Sequence, residues 1–257
     1  MFVSAPDRRR TRDPAALAEL SALGERVRPV AASRTRLLPV LPPLAGLLPD
    51  GALRRGTTLT VGRPGDNGAL SIALALVAAA SSSGSWCALV GHPGLGAVAA
   101  ADLGVDLGRL AILPRPGVLW AEATAAVIEG VDLVVLCPPF APRASMARRL
   151  VARARERRAV LMVLPGRAGW PEPPDLALRV DDATWEGITA GGGHLRRRRM
   201  TVTVTGRRSA TRPGRHHLWL PAPDGSVSGA DDPGPVTDPA TDPATDAVTD
   251  TVTDTEA

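Results

Sequence analysis

The segment 57–76, TTLTVGRPGDNGALSIALAL, has the order of elements of a phosphate-binding loop: an apolar strand, a glycine-rich turn and an apolar helix. In such loops the backbone N–H groups and the helix N-terminus face an anion. Here five residues separate Gly62 from Gly68 where the usual pattern has about four. Ala69 and Leu70 stand at the positions of the lysine and the magnesium-holding hydroxyl. The candidate phosphate contacts are Gly62, Gly65, Gly68 and Ser71.

Three further groups of titratable residues are candidate sites. His92 follows a predicted strand, but no acidic or nucleophilic partner lies near it in sequence, so we expect a loop histidine. His216 and His217 lack the further ligand that a metal site needs, and we assign them to a basic surface. Glu122 and Glu129 share one face of a predicted helix and are expected to face solvent. The sequence thus predicts no catalytic residue and no metal site.

The charge is distributed unevenly along the chain. Arginine supplies all 30 basic residues, and the formal net charge is +4. Residues 222–257 contain nine acidic residues and no basic one, which leaves +13 on residues 1–221. Within this tail Thr-Asp recurs every four residues, with prolines and little apolar surface, so we expect disorder. The tail is either a solubilising repeat or an acidic arm that shields a basic surface or mimics nucleic acid.

The cysteines and the hydropathy pattern bear on the compartment. Cys87 and Cys137 lie in apolar, strand-like runs, which supports neither a disulfide framework nor a Cys/His metal site. The N-terminus has no apolar signal-peptide core, and the longest weakly polar run, 69–80, is too short to span a membrane. We therefore expect a cytoplasmic protein with reduced cysteines, no membrane contact and no bound cofactor.

Strand-like and helix-like segments alternate through the middle of the chain, which is typical of a parallel sheet. The predicted strands are 57–61, 86–90, 110–113, 133–137 and 160–164, and the predicted helices are 69–80, 95–103, 118–129 and 145–158. Later strands at 176–180 and 200–204 are interpreted as antiparallel edge strands. The expected fold is α/β, with a mostly parallel central sheet, helices on both faces and antiparallel C-terminal edge strands.

Three regions are predicted from these patterns. Residues 1–49 contain a short helix at 14–27 and a proline-rich linker, residues 50–221 form the core, and residues 222–257 form the acidic tail. Arginines cluster near the end of the core and suit a protein partner or the phosphates of nucleic acid. The residues assigned to this surface are Arg196, Arg197, Arg198, Arg199, Arg207, Arg208, Arg212, Arg215, Leu218 and Trp219. A second run of arginines lies on the predicted helix 145–158 and just after it.

Several motifs in sequence order resemble the core of RecA-like recombinases. LLPDGALRRGTTLTVGRPGDNGALSIAL resembles the entry into the phosphate loop, SGSWCALVG and ADLGVDLGRLAILPRP resemble the next strand and its Leu-Gly-Val-Asp segment, and GVDLVVLCPP lies where that family has its Walker B strand. Within this superfamily, DLALRVDDATWEG, GGGHLRRRRMTVTVTGRR and HHLWLP resemble actinobacterial ImuA-type proteins of mutagenic DNA-damage tolerance. The resemblance covers roughly residues 40–221.

The departures from that family indicate a degenerate ATPase site. Hydrolysis needs a lysine on the phosphates, a hydroxyl and an acidic residue around Mg²⁺, and a carboxylate that orients water. Ala69 and Leu70 replace the first two, Cys137 stands for the Walker B acid, and Pro93 falls near the water-orienting glutamate. Asp132 begins its strand, whereas ligands bind at the carboxyl ends of such strands. Weak ATP hydrolysis or residual nucleotide binding, with Ser71 as a hydroxyl, remains the alternative.

The resemblance implies an adaptor in DNA-damage-induced (SOS) mutagenesis and translesion synthesis. The expected partner is an ImuB-type, catalytically inactive homologue of Y-family polymerases, through which an error-prone polymerase and the sliding clamp would be reached. The alternatives are a RecA-like DNA-binding or repair protein and a SulA-like cell-division inhibitor. The surfaces expected to contact the partner are the region from Arg196 to Arg215 and the apolar end 218–220. RecA-like protomers associate through an N-terminal strand and linker, so 37–48 is a second candidate contact, for self-association.

Overall fold

A computed structural model of the chain describes residues 36–62, 68–166, 169–189, 192–206 and 214–230. The predicted helix at 14–27 and the Thr-Asp repeat lie outside these residues. At the start, strands β1 (Leu37–Leu38) and β2 (Leu53–Arg54) pair antiparallel around a 3₁₀ helix at Pro42–Leu47. The predicted self-association segment 37–48 is thus engaged within its own chain, with Leu44 and Leu47 in the core.

Nine strands of the described residues form one mixed sheet. They are β3 (Thr58–Val61), β4 (Cys87–Val90), β5 (Leu110–Leu113), β6 (Leu133–Leu136), β7 (Val160–Val163), β8 (Leu176–Thr189), β9 (Gly192–Gly206), β10 (Gly214–Trp219) and β11 (Ser228–Gly229). Their order across the sheet is β11-β10-β9-β8-β3-β7-β6-β4-β5. The strands from β8 to β5 are parallel, and β9, β10 and β11 each run antiparallel to their neighbours. The predicted fold class is confirmed.

Four α-helices of the described residues cover the sheet. They are α1 (Ala69–Ser82), α2 (Ala97–Asp102), α3 (Trp120–Ile128) and α4 (Ala144–Arg157). Helices α1 and α2 belong to the core on one face of the sheet, and α3 and α4 to the core on the other. Strands β4, β6 and β7 are buried on both faces, which explains their continuous apolar sequences.

The helices differ in how much of their surface is buried. Residues 72–78 of α1 are all buried, because this helix lies under the sheet, the 3₁₀ helix and the C-terminal strands. Helix α4 buries only one stripe, Ala147, Leu150, Val151 and Ala154, and exposes most of its arginines. This spacing of three and four residues is that of an amphipathic helix. The second predicted basic run is therefore largely the solvent-facing side of α4.

The C-terminal part of the sheet is larger than the sequence predicts. Strands β8 and β9 form a long hairpin of 14 and 15 residues, where strands at 176–180 and 200–204 were expected. Strand β8 is not an edge strand, because it pairs parallel with β3 on one side and antiparallel with β9 on the other. Two strands, β10 and β11, were not predicted.

The predicted boundary after Pro221 falls inside the folded region. Ala222 and Val227 are buried, and β11 pairs with β10 at Leu218 and Trp219. Residues 222–230 therefore belong to the core, which corrects the prediction that the tail begins at Ala222. Among the described helices, none combines the length and apolar character needed to cross a bilayer.

Candidate functional site

The N-terminus of α1, at the carboxyl end of β3, is the position that the sequence assigns to a phosphate. Gly62 follows β3 with φ +81° and donates its N–H to the carbonyl of Leu178. Gly68 precedes α1 with φ +131°, a conformation that favours glycine. A Cβ on Gly68 would lie 2.5 Å from Cε of Met200, so β9 packs closely against this turn. Gly65 lies outside the described residues.

Arg198 of β9 reaches the start of α1. Its Nη2 donates to Oγ of Ser71 at 2.8 Å, and its Nε donates to the carbonyl of Leu220 at 2.8 Å. Its Nη1 lies 3.6 Å from where a Cβ on Gly68 would be. The hydroxyl predicted as a phosphate contact is therefore a hydrogen-bond acceptor for an arginine 127 residues further along the chain.

Arg198 is unusual among the arginines because it is 7% exposed. Its guanidinium lies 5.0 Å from the ring centroid of Trp185, across the β8–β9 pair. Among the described residues no carboxylate forms an ion pair with it. Burial without a counter-charge disfavours the charged form, and it lowers the pKa of Arg198. Arg198 of β9 thus brings a guanidinium to the start of α1, where it donates hydrogen bonds to two groups of the protein itself.

The strand alternation explains why the four-arginine run does not form one surface. Met200 and Val202 point into the core with α1, and Arg198 lies on the same side of β9. The residues that alternate with these along the strands point away from α1, and we call the surface that they form the outer face. In β9 and β10 they are Arg197, Arg199, Thr201, Thr203, Thr205, Arg215, His217 and Trp219. The core under α3 and α4 contains no residue of β8, β9 or β10.

The outer face contains several polar contacts. Arg197 forms an ion pair with Glu186 at 2.6 Å and lies 4.1 Å above the ring of Trp219. Asp181, in the bulge of β8, accepts hydrogen bonds from Thr203 and Arg179. Desolvation raises the pKa of this carboxyl, but those two hydrogen bonds and the charges of Arg179 and Arg215 outweigh it, so its pKa is lowered overall.

The predicted partner surface is therefore only partly at the surface. Arg196 and Arg215 are exposed, and Arg197, Arg199 and Trp219 are half-buried. Arg198, Leu218 and Leu220 are buried, because they lie on the α1 side of the sheet or in the turn after it. This corrects the prediction of an apolar docking end at 218–220. Arg207, Arg208 and Arg212 lie outside the described residues.

Two unusual groups lie beyond the carboxyl ends of β4 and β6. Cys137 follows β6, and burial raises the pKa of its thiol to about 12, so the residue after this strand carries a neutral group. A Cβ on Gly91 would lie 2.1 Å from the carbonyl oxygen of Cys137, which fixes glycine there. His92 is half-buried, burial lowers its pKa, and its Nδ1 is enclosed with no hydrogen-bond partner among the described residues. It is less exposed than the loop histidine that was predicted.

Asp132 lies at the opposite, amino end of the sheet. It accepts hydrogen bonds from Nη1 of Arg55 at 2.6 Å and from the backbone N–H of Trp86 at 2.9 Å. These contacts tie together the segments before β3, β4 and β6. Asp132 is therefore a structural ion-pair partner, far along its strand from the loop.

His216, His217 and Glu129 have structural contacts, whereas Glu122 is exposed as predicted. His216 packs beside Gly46 of the 3₁₀ helix, and burial, followed by the charge of His217, lowers its pKa. Nδ1 of His217 lies 3.2 Å from Oγ1 of Thr201. Glu129 pairs with two arginines of α4. Within the described ranges no group of three or more His, Cys, Asp or Glu side chains could hold a metal ion.

The end of the β8–β9 hairpin is a surface that the sequence did not predict. β3 pairs with β8 only as far as Leu178, and β10 pairs with β9 from Arg199 onward, so the hairpin extends past both neighbours on the side of the phosphate loop. Trp185, Ile188 and Leu195 are 42%, 64% and 52% exposed there. The sequence pattern that would predict these long strands is weak, because glycines interrupt the alternation of apolar and polar residues.

The fold and the site together define an α/β protein with a mostly parallel sheet, in which the buried Arg198 contacts the first turn of α1. The model of the MT3502 N-terminal domain family matches residues 46–172, which include β2 to β7 and end before β8. The uncharacterized protein Rv3395c of Mycobacterium tuberculosis is 42% identical over 101 residues, or 39% of this chain and 50% of that protein. The chain thus spans about half the length of this curated relative.

Proposed function

We propose that this chain is a non-catalytic RecA-like adaptor of DNA-damage-induced mutagenesis, of the ImuA type. Its partner would be an ImuB-type homologue of Y-family polymerases, which in turn would contact the error-prone polymerase and the sliding clamp on DNA in the cytoplasm. The mycobacterial similarity and the match to residues 46–172 are compatible with this assignment. Neither says what the related proteins do, so the proposal depends on the motifs and on the contacts of the site.

The contact between Arg198 and Ser71 is the observation that carries the non-catalytic part of the proposal. A hydroxyl that would help to hold Mg²⁺ is engaged by a cation, and a cation at that position opposes a second one. Cys137, at the Walker B position, is a neutral thiol whose pKa is raised to about 12, so it supplies no carboxylate for the metal. These features favour a scaffold over an ATPase.

The β8–β9 hairpin is the surface we assign to the partner. Ile188 and Leu195 place exposed apolar side chains at its end, and Arg196 lies beside them, also exposed. Apolar residues at the centre with arginine at the margin are typical of protein–protein contacts. Trp185 also reaches the surface, but it stacks on Arg198, so its substitution would disturb the core as well.

The test is co-purification with the ImuB-type protein from the same organism. Ile188→Asp with Leu195→Asp should weaken the complex by about tenfold or more, because both changes place charge at an apolar contact. Val98→Asp is the matched control, since Val98 is 76% exposed on α2. A complex that forms equally well with the hairpin variant refutes the hairpin as the docking surface. Absence of any complex with the folded wild-type chain refutes the adaptor proposal.

The ATPase alternative is tested separately with the same preparations. Under this proposal the purified chain shows no hydrolysis of ATP with Mg²⁺ above a buffer blank, with or without the partner. Hydrolysis that Ser71→Ala abolishes would overturn the non-catalytic assignment and make Ser71 a metal or phosphate contact.

A further inference from the structure

We propose that a cavity at the amino end of β3 and β8 binds a small organic cation, in which one apolar group of about the size of a phenyl ring carries a protonated amine. The cavity has a volume of about 200 Å³. It lies between the segment 48–54, which contains β2, and the start of the central sheet at Thr57, Leu59 and Leu176. The phosphate loop and the end of the β8–β9 hairpin lie toward the opposite end of β3, so this site is separate from both. The inference does not depend on the adaptor function.

One wall of the cavity is a β-turn that follows the 3₁₀ helix. Gly51 donates its backbone N–H to the carbonyl of Leu48 at 3.0 Å, and Pro49 fills the second position of this turn, where its fixed φ is favoured. Thr57 donates its hydroxyl to the carbonyl of Arg54 at 2.6 Å. Hydrogen bonds within the described chain therefore hold the walls, and the cavity exists before a ligand enters it, as is usual for small-molecule sites.

The inner part of the cavity is apolar. Four leucines line it, and each is at most 7% exposed: Leu48, Leu53, Leu59 and Leu176. An apolar group that enters this space leaves water and gains the hydrophobic contribution to binding. A cavity of about 150 Å³ lined by such side chains is large enough for benzene. The volume found here therefore suits one ring with a short side chain, and it is too small for a drug-sized ligand.

The charged groups that line the cavity are two carboxylates and one guanidinium. Arg54 donates hydrogen bonds to both carboxylate oxygens of Asp50, at 2.9–3.1 Å. These two side chains are 45% and 34% exposed, so they form a mutually neutralised pair at the rim. The second carboxylate, Asp175, is only 15% exposed. The lining therefore carries one net negative charge, and it lies on the more buried of the two carboxylates.

Asp175 is the group that we assign to the ammonium of the ligand. Its Oδ2 accepts the backbone N–H of Thr58 at 2.9 Å. Among the described residues, its Oδ1 has only Nη2 of Arg155, at 3.4 Å, where a charge-assisted hydrogen bond is about 2.7–2.9 Å long. Each carboxylate oxygen accepts about two hydrogen bonds, so Asp175 has unused acceptor capacity. An anion here would be repelled by this carboxylate, and a neutral ring would leave that capacity unused.

NMR titration of the full-length chain with benzylamine tests the site. Benzylamine should bind with a Kd of about 1 mM, at least about fivefold more tightly than benzyl alcohol, its neutral analogue. Ala52→Phe places a ring in the cavity that Ala52 lines and should abolish binding, whereas Ala101→Phe, on the exposed side of α2, is the matched control and should bind as wild type does. Equal affinity in Ala52→Phe and wild type would place binding elsewhere and overturn the site. Equal affinity for the amine and the alcohol would overturn the choice of a cation.

A charge variant tests the role of Asp175. Asp175→Asn keeps an oxygen for the N–H of Thr58 and should weaken benzylamine binding at least about fivefold, with benzyl alcohol within about twofold of wild type. Asp102→Asn, exposed on α2, is the control with the same loss of charge. At ten times Kd, benzylamine should raise the Tm of wild type by about 3–6 °C and that of Asp175→Asn by clearly less. Unchanged affinity in Asp175→Asn, or an equal loss in Asp102→Asn, would refute the contact between Asp175 and the amine.

Discussion

Replacing Arg198 with alanine should destabilise the protein far more than the same change at Arg196, two residues earlier on the same strand. Arg198 is 7% exposed and donates to Ser71 and Leu220, so truncation leaves a hydroxyl and a carbonyl without a partner. Each unpaired buried group costs about 1–3 kcal/mol, and the cavity adds to this. Removal of a buried charge that pairs with no described carboxylate offsets part of this loss of stability. We expect a net loss of about 3 kcal/mol.

Urea unfolding of the full-length variants measures this difference. Arg196→Ala should stay within about 0.5 kcal/mol of wild type, because Arg196 is exposed. Arg198→Met fills most of the volume and should lose about 2 kcal/mol, since only the two polar partners remain unpaired. In a thermal scan, Arg198→Ala should lower Tm by about 6–12 °C for a chain of this size. Equal stability of the alanine variants of Arg196 and Arg198 would refute the buried contact.

Three further predictions follow from other contacts. Burial raises the pKa of the Cys87 and Cys137 thiols from 9.0 to about 12, and the chain has no lysine or tyrosine that would titrate in the same range. The free energy of unfolding should therefore be full below pH 9 and fall by about 1.4 kcal/mol per thiol for each pH unit above it. Urea unfolding from pH 8 to 11 measures this, and the same pH dependence in Cys137→Ser as in wild type would contradict it. Asp132→Ala should cost about 3 kcal/mol, because it leaves the largely enclosed side chain of Arg55 without its carboxylate; chemical denaturation measures this, and a loss below about 1 kcal/mol would contradict it. Gly91→Ala should prevent stable folding, whereas Gly117→Ala, also at positive φ but in open space, should cost about 1 kcal/mol; similar expression and Tm of the two would refute the close approach to Cys137.

The sequence predicted the central part of the fold well because local patterns determine it. Apolar runs bounded by glycine and proline predicted β5 at its observed bounds and placed β3, β4, β6 and β7 within about a residue of them. Helix α4 was predicted to within one residue at either end, since its amphipathic spacing is regular. Strands β3, β4, β6 and β7 each have a neighbour on both sides in the sheet, so their continuous apolar sequences agree with their burial, whereas β5 is the edge strand and is only partly buried.

The C-terminal strands were predicted less well for two reasons. The strands with which they pair are distant in sequence, and neighbouring residues along one strand are alternately buried and exposed. The run Arg196–Arg199 looks uniform in sequence, but a strand directs alternate residues to opposite faces. Nothing local shows that Arg198 would be buried rather than Arg197 or Arg199. Likewise, the apolar end at 218–220 could be a surface contact or a core strand until its pairing with β9 is known.

By itself, the sequence determined the α/β alternation, the glycine-rich turn before α1, the absence of lysine and the acidic character of the tail, because these are properties of composition and local spacing. Only the tertiary structure decided what lies at the start of α1. Ser71 and Arg198 are 127 residues apart and meet because β8 and β9 fold back beside β3, which brings the guanidinium to the hydroxyl. A contact of that kind depends on the register between distant strands, and no pattern within either segment encodes it.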